Sequence, residues 1–260
     1  MQGYLSRVWT LRYFWWALVR NDLRKRYRGS AIGMGWSLLQ PIAMTVVLCT
    51  VFCQIFHADL KTYAPFLLSG LTVWGFITAV MTQGCQCFFS SEAYIRQHPA
   101  PLAIYPLRVT LGASIHLVLG LLVVLSLAWC LHGLDNLRVL IGLLPALMLL
   151  LIFGWSLAIC MGVVNVLFQD TTHLTEILLQ ILFYLTPILY PADLLRQRHL
   201  AWFLGMNPLA AFLELVRLPI LEARLPPWQA FALAGAGALL PAAVAALLLS
   251  RIERRLVFYL

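Results

Sequence analysis

Five stretches of this chain run without a single charged residue: 31–56, 64–91, 109–134, 139–169 and 225–250. A helix needs about 20 apolar residues to cross the hydrocarbon of a bilayer, and each stretch exceeds that. A soluble domain carries about 25% charged residues, whereas this chain carries 11%, against 62% hydrophobic ones. That contrast excludes a soluble enzyme, a disordered chain and a nucleic-acid-binding domain. The chain reads as an all-α integral membrane protein, one transmembrane domain over 1–260 with no room for an appended soluble domain.

A sixth span is expected over about 174–190, cut short by Pro187 and followed by a second short apolar piece at 201–213. Between them, Pro191 to His199 is too polar for lipid. Irregular backbone at membrane depth needs shielding by protein or by a water-filled cavity. Two readings follow: re-entrant outer helices between the fifth and sixth spans, or an amphipathic helix lying on the outer surface. With six spans and both termini in the cytoplasm, the inner side holds 12 of the 18 Lys and Arg residues. The excess of positive charge inside supports that orientation, a multi-pass protein of a bacterial cytoplasmic (inner) membrane.

Seven of those cations lie between Arg7 and Arg28, against the single acid Asp22. Aromatic residues interleave with them, and Leu5, Trp9, Trp16, Val19 and Leu23 share one sector at helical spacing, with Arg12 inside it and Phe14 and Leu18 outside. Residues 1–30 are therefore expected to form an amphipathic interface helix on anionic lipid, joined to the first span through a Gly29-Ser30 break. The spanning bundle then occupies 31–250, with a cytoplasmic tail at 251–260. The first long apolar run has no small-residue cleavage site after it, so it is expected to be retained.

The chemistry of catalysis is missing from the pattern. A phosphate-binding loop needs Gly-x4-Gly-Lys-Ser/Thr, and the two lysines, Lys25 and Lys61, stand in no such setting. The six cysteines lie in apolar stretches, and Cys85-Gln-Cys87 is too close for paired zinc ligands. No metal or cofactor is expected in this chain. His116 reads as a helix-packing hydrogen bonder, and Glu214 with Arg217, three apart, as a local ion pair. No carboxylate lies within the five clean spans to carry a coupling ion. Energy for transport then comes from a separate ATPase, which would supply the ATP and Mg site.

A cytoplasmic loop could receive that partner. Ser90-Ser-Glu-Ala-Tyr-Ile-Arg-Gln-His-Pro99 offers a serine cap, a short helix and a proline stop. Glu92, Tyr94, Ile95 and Arg96 are its coupling candidates, with Tyr94 and Ile95 as apolar anchors for a partner's groove. A solvated connector fits the same residues equally well.

Several motifs together resemble one family. They are Asn21-Asp-Leu-Arg-Lys-Arg-Tyr-Arg-Gly-Ser30 running into Ile32-Gly-Met-Gly-Trp-Ser37 and Gln40-Pro41, then Phe168-Gln-Asp-Thr-Thr-His-Leu174, Leu185-Thr-Pro-Ile-Leu-Tyr190, Asn207-Pro208-Leu and Arg254-Arg-Leu-Val-Phe-Tyr-Leu260. The chain is similar to the membrane (permease) subunits of bacterial ABC transporters that export O-antigen, capsule or teichoic acid. At Gln169 it departs from the Arg-Asp pair usual there. The resemblance implies a homodimer with two ATP-binding subunits, a coupling helix at about 91–98 and re-entrant outer helices. It also implies a lipid-linked polysaccharide as cargo, with Arg24, Lys25, Arg26 and Arg28 meeting the pyrophosphate of its carrier or the headgroups of membrane lipids. A lipid or drug exporter of the same superfamily is the nearest alternative. A polyprenyl-phosphate transferase is a rival of another class, and it would need a carboxylate-rich loop that the scattered acids do not form. A sliding polymer needs aromatic faces to stack on. The candidates are Tyr63, Trp74, Phe76, Phe183, Tyr184 and Tyr190, each equally able to serve as a membrane-belt anchor.

The missing phosphate loop has a direct test. Purified alone, the chain should show no ATP turnover above a protein-free control, and turnover should appear only with a co-purified ATP-binding partner.

Overall fold

The computed structural model describes residues 2–97, 100–133, 137–191, 207–256 and 259, and every regular element among them is helical. In chain order these are α1 (Gln2–Thr10), α2 (Arg12–Tyr27), α3 (Trp36–Phe56), α4 (Leu60–Gln86), α5 (Glu92–Gln97), α6 (Ile104–His132), α7 (Leu143–Leu167), α8 (Thr171–Leu185), α9 (Pro208–Leu221) and α10 (Trp228–Leu256). Helices dominate because lipid offers no partner for backbone N–H and C=O groups, and a helix satisfies them within itself.

Five segments are long and apolar enough to cross a membrane: Gly33–Ile55, Leu60–Gln86, Ile104–Leu131, Val139–Leu167 and Trp228–Glu253. They are the five uncharged stretches with their ends shifted. The first begins late because Gly29 and Gly33 adopt φ of 79° and 58°, a left-handed backbone that a right-handed helix cannot pass through. The third begins early and draws Arg108 into its first turns. The remaining expected span is shorter than its sequence suggested. α8 has 15 residues and stops at Leu185, giving about 22 Å of helix against about 30 Å of hydrocarbon.

α4 sits at the centre, packed against α3, α6, α7, α8 and α9. It packs closely against α7, which presents Gly154, Ala158 and Gly162 at four-residue spacing. A Cβ on Gly84 of α4 would lie 2.9 Å from the Ala158 Cα, and one on Gly162 would lie 2.8 Å from the Cys87 Sγ. Between spans in lipid, close approach of this kind replaces hydrophobic drive as the source of cohesion.

The end of the bundle beyond α8 is organised by α9. Asn207 caps it, its side-chain oxygen accepting from the Leu209 N–H, and Leu209, Ala211, Phe212, Leu213, Leu215, Val216 and Ile220 are buried. This helix is packed against α10, α4 and α7. Residues 192–206, including Asp193, Arg196, Arg198 and His199 of the polar stretch, lie outside the described residues.

Arg217 of α9 overturns the expected ion pair with Glu214. Its guanidinium donates to the carbonyls of Pro187 (2.6 Å), Ile188 (3.1 Å) and Phe66 (3.2 Å), and to Ser69 Oγ (3.4 Å). It also stacks 3.6 Å above the Phe66 ring. The planar fork reaches carbonyls from two segments at once, which a local partner could not offer. One residue thereby ties the turn after α8 to α4 and α9.

The N-terminal stripe also needs correction. The helix breaks at Leu11, so α1 and α2 do not share one wheel. Val8, Leu18 and Val19 are buried, while Leu5, Trp9 and Trp16 are exposed. Leu11, Phe14 and Trp15 pack on the same core as Val8 and Leu18. The segment has apolar side chains toward the bundle and away from it, because it is seated on the protein and presents its other face outward.

The Arg217 clamp predicts a fragile site one helix away. A Cβ on Gly70 would lie 2.5 Å from Arg217 Nη2, and that group is pinned by its carbonyls. Gly70→Ala should cost about 1–3 kcal/mol, read as a lower melting temperature in detergent. R217K should lower it too, since an ammonium cannot span the same acceptors. An unchanged melting point in both variants would show that the clamp does not hold the turn.

Candidate functional site: a polar groove along the central helix

One face of α4 does not follow the rest of the span. Trp74, Thr78, Thr82 and Gln86 recur every fourth residue and stay at least partly exposed, with Gly75 and Gln83 beside them. On α8, Thr172, Glu176, Gln180 and Tyr184 recur at the same spacing. The two stripes face one another across a concavity of about 280 Å³ lined by Trp74, Thr78, Thr82, Glu176, Gln180, Phe183 and Tyr184. At its inner end the stripes are joined, where Gln86 Nε2 donates to Thr172 Oγ1 at 3.1 Å and Thr172 donates to Asn165 Oδ1 at 3.0 Å.

The concavity continues in two directions. A space of about 580 Å³ is bounded by Asp22, Arg26, Gln83, Gln86, Ser90, Arg108, His116 and Glu176. Another, of about 480 Å³, extends past Gln40, Thr72, Trp74, Gln83 and His116. The three share walls and form one groove beside α4. Among the described residues, four buried side-chain polar atoms lack a hydrogen-bond partner; Arg108 Nε has an ionic one in Asp22, and Thr78 Oγ1 and His116 Nδ1, both of this groove, have neither. Unmet polar groups at membrane depth are costly unless a polar guest or water reaches them.

The structure divides the six aromatic candidates. Trp74 and Phe183 pair at 5.6 Å, Phe183 and Tyr184 at 5.4 Å, and all three border the groove. Phe76 is buried, closing against Gly154, with an edge on the wall. Tyr63 and Tyr190 brace the turn after α8 instead. The Tyr63 hydroxyl donates to the Leu189 carbonyl at 2.6 Å and the Tyr190 hydroxyl to the Tyr184 carbonyl at 2.9 Å. His116 approaches Tyr27, with Nε2 3.4 Å from the Tyr27 hydroxyl and the rings edge-on at 5.9 Å. It joins α6 to the interface helix, as a packing histidine does.

Where α6 begins, α2 is held by charge. Arg108, buried at the start of α6, places Nε 2.8 Å from Asp22 Oδ2, an ion pair without the alignment of a hydrogen bond. Its Nη2 donates to Ser90 Oγ at 3.3 Å. Burial pushes the Asp22 carboxyl up from its ordinary value, and Arg108 and then Lys25 pull it back. Arg24, Lys25, Arg26 and Arg28 are exposed on or just beyond the last turns of α2, and of these four Arg26 reaches the groove.

The expected coupling loop is a short helix, α5, entered through a turn at Phe89–Ser91. Ser91 does not cap it: its hydroxyl donates back to the Cys87 carbonyl at 2.6 Å. His98 and Pro99 lie outside the described residues. Glu92 and Arg96 pair at 2.8 Å on the exposed side. Ile95 is buried in the chain's own core, so it fastens α5 to this subunit rather than offering an anchor to another. Tyr94 meets Phe14 edge-on at 6.4 Å and borders a concavity of about 630 Å³ with Tyr13, Trp16, Arg20 and Arg24.

Of the two stripes only Trp74 and Tyr184 stand out in the sequence, as aromatics, because spans were recognised by missing charge and the threonines and glutamines between passed unremarked. Their four-residue period was the available signal.

Comparison with known proteins agrees with this arrangement. Residues 13–221 match the ABC-2 type transporter family. An O-antigen export system permease protein RfbA of Klebsiella pneumoniae is 24% identical over 196 residues, 75% of each chain. The RfbA protein of Myxococcus xanthus is 26% identical over 212 residues, 81% of each. The polysialic acid transport protein KpsM of Escherichia coli is 22% identical over 204 residues, 77% of this chain and 78% of that one. With its family match running from the interface helix through α9, the chain belongs to the ABC-2 type transporter membrane family.

Proposed function

We propose that this chain is the permease subunit of an ATP-driven exporter that moves a lipid-linked polysaccharide across the bacterial inner membrane. The observation that carries the reading is the groove, where two polar stripes, with Glu176 their one acid, face each other at membrane depth with Trp74, Phe183 and Tyr184 alongside. Hydroxyls and amides replace water for sugar hydroxyls, and aromatic faces stack on the C–H faces of the rings. Neither contact fixes one position, so a chain can slide. The O-antigen and polysialic acid transport proteins among its relatives support the same cargo class.

In this reading two copies place their grooves together to form a channel, and two ATP-binding subunits sit beneath. α8 with the segment after it makes the sixth crossing, α9 belongs to a re-entrant pair, and both termini are cytoplasmic. The exposed cations of α2 meet the carrier's diphosphate or anionic headgroups. ATP-driven closure of the partners pushes on α5 through Glu92, Tyr94 and Arg96, and the motion tilts the spans that wall the groove.

Thr78→Leu, Thr82→Leu and Gln180→Leu, made together, should leave melting temperature and membrane level unchanged, because leucine suits a lipid-depth wall. Surface polysaccharide should fall about tenfold or more, as polar guests lose partners worth about 1–2 kcal/mol each, and carrier-linked polymer should accumulate inside. Normal export by a well-expressed triple variant would remove the groove from the path.

A further inference from the structure

The last turn of α10 carries an acid that neither the groove nor α5 accounts for. Glu253 Oε1 accepts two hydrogen bonds from distant parts of the chain: the Tyr4 hydroxyl of α1 at 2.9 Å and the Leu102 backbone N–H at 3.1 Å. Tyr4 in turn accepts from the Ala103 N–H at 3.3 Å. Leu102 and Ala103 directly precede α6, where backbone donors have no helical partner. A carboxylate and a phenol from opposite ends of the sequence thus cap α6 together. The Ala103 carbonyl accepts from Trp155 Nε1 of α7 at 3.0 Å, adding another helix to the joint. Burial, with Glu253 adding to it, pushes the Tyr4 hydroxyl above its ordinary value, so it stays a donor.

The position of the joint matters more than its strength. Leu102 and Ala103 are where the chain leaves the α5 loop and enters the span, and they pack in one core with Val8, Ile95 and Leu249. A push on α5 reaches the bundle along this connection. A flexible connection would absorb it, whereas one capped from α1 and α10 transmits it to both.

We propose that Glu253 and Tyr4 are positioning residues for energy coupling, a rigid joint that makes α1, the Leu102–Ala103 entry to α6 and α10 move as one body when the ATP-binding partner acts. The proposal rests on the reading of α5 as the coupling segment. It adds residues that need touch neither cargo nor partner. The carboxylate serves as an acceptor, not as a charge for a cation: among the described residues, no ion pair joins it.

The test uses the full complex with its ATP-binding partner subunit, measuring ATP turnover and surface polysaccharide in the same preparations. Glu253→Ala should lower export about tenfold, the scale of lost hydrogen bonds to a charged acceptor, while ATP turnover continues. The ratio of polymer exported to ATP consumed therefore falls. Glu253→Gln keeps an acceptor oxygen and should restore the ratio, an outcome that a requirement for charge would not give. Tyr4→Phe, which leaves Glu253 on Leu102, should lower the ratio less, and adding it to Glu253→Ala should cost nothing more, as expected of groups acting as one unit. Should Glu253→Ala fail to accumulate in the membrane, the Tyr4→Phe and Glu253→Gln pair carries the test. An unchanged ratio in Tyr4→Phe and in any Glu253→Ala that accumulates, or no rescue by glutamine, overturns the proposal. An E92A/Y94A/R96A variant is measured in parallel. If that variant exports normally, the coupling reading of α5 has failed; if it fails to export while Glu253→Ala exports normally, the joint alone has failed.

Discussion

The seating of α4 on α7 is the contact on which the groove depends. Lipid tails are as apolar as leucine, so two spans gain nothing by hiding leucines from them. Cohesion has to come from close approach, and Gly84 against Ala158, with Gly162 against Cys87 and Phe88, supplies it. Once that face of α4 is fixed, the residues about half a turn away are fixed as well. Thr78, Thr82 and Gln86 then cannot rotate into the core, and α8 meets them with a polar stripe of its own.

Each end of this arrangement is held by a polar side chain that acts on backbone rather than on an opposite charge. Where α8 stops short, Arg217 gathers the carbonyls of Pro187 and Ile188. Where α6 begins, Glu253 takes the Leu102 amide hydrogen and, through Tyr4, braces that of Ala103. Both spend a charged group on termini that lipid cannot solvate. The groove between them is less satisfied, and its unpartnered atoms mark the part of the bundle built to receive something polar.

The interface helix joins these regions. Its pairing through Asp22 and Arg108 places α2 beside Ser90, in the turn into α5, and its Tyr27 lies against His116 in the groove. A segment that composition alone assigns to the membrane surface is thus in contact with both the entrance to α5 and the cavity wall. Its exposed aromatic side and its buried side serve different surfaces at once.

The distribution of charge was enough, in sequence alone, to establish the class of the protein and the place of five spans, because excluding ions from hydrocarbon is a constraint on each residue separately. The absence of a phosphate loop was legible for the same local reason, whereas the single apolar stripe expected over the first thirty residues did not form, because the helix breaks at Leu11 and sits on the bundle. Tertiary structure decided the rest. Of six aromatics with the same apparent eligibility, only packing separates Trp74, Phe183 and Tyr184 on the groove from Tyr63 and Tyr190 in the brace. Arg217 passes over Glu214, three residues away, for carbonyls about 30 and 150 positions away in the chain, and Ile95 turns from an expected partner toward its own core. A side chain's neighbours depend on which helices approach closely, and in a membrane that is set by small residues and unpaired backbone groups acting across the whole bundle, not by the sequence on either side.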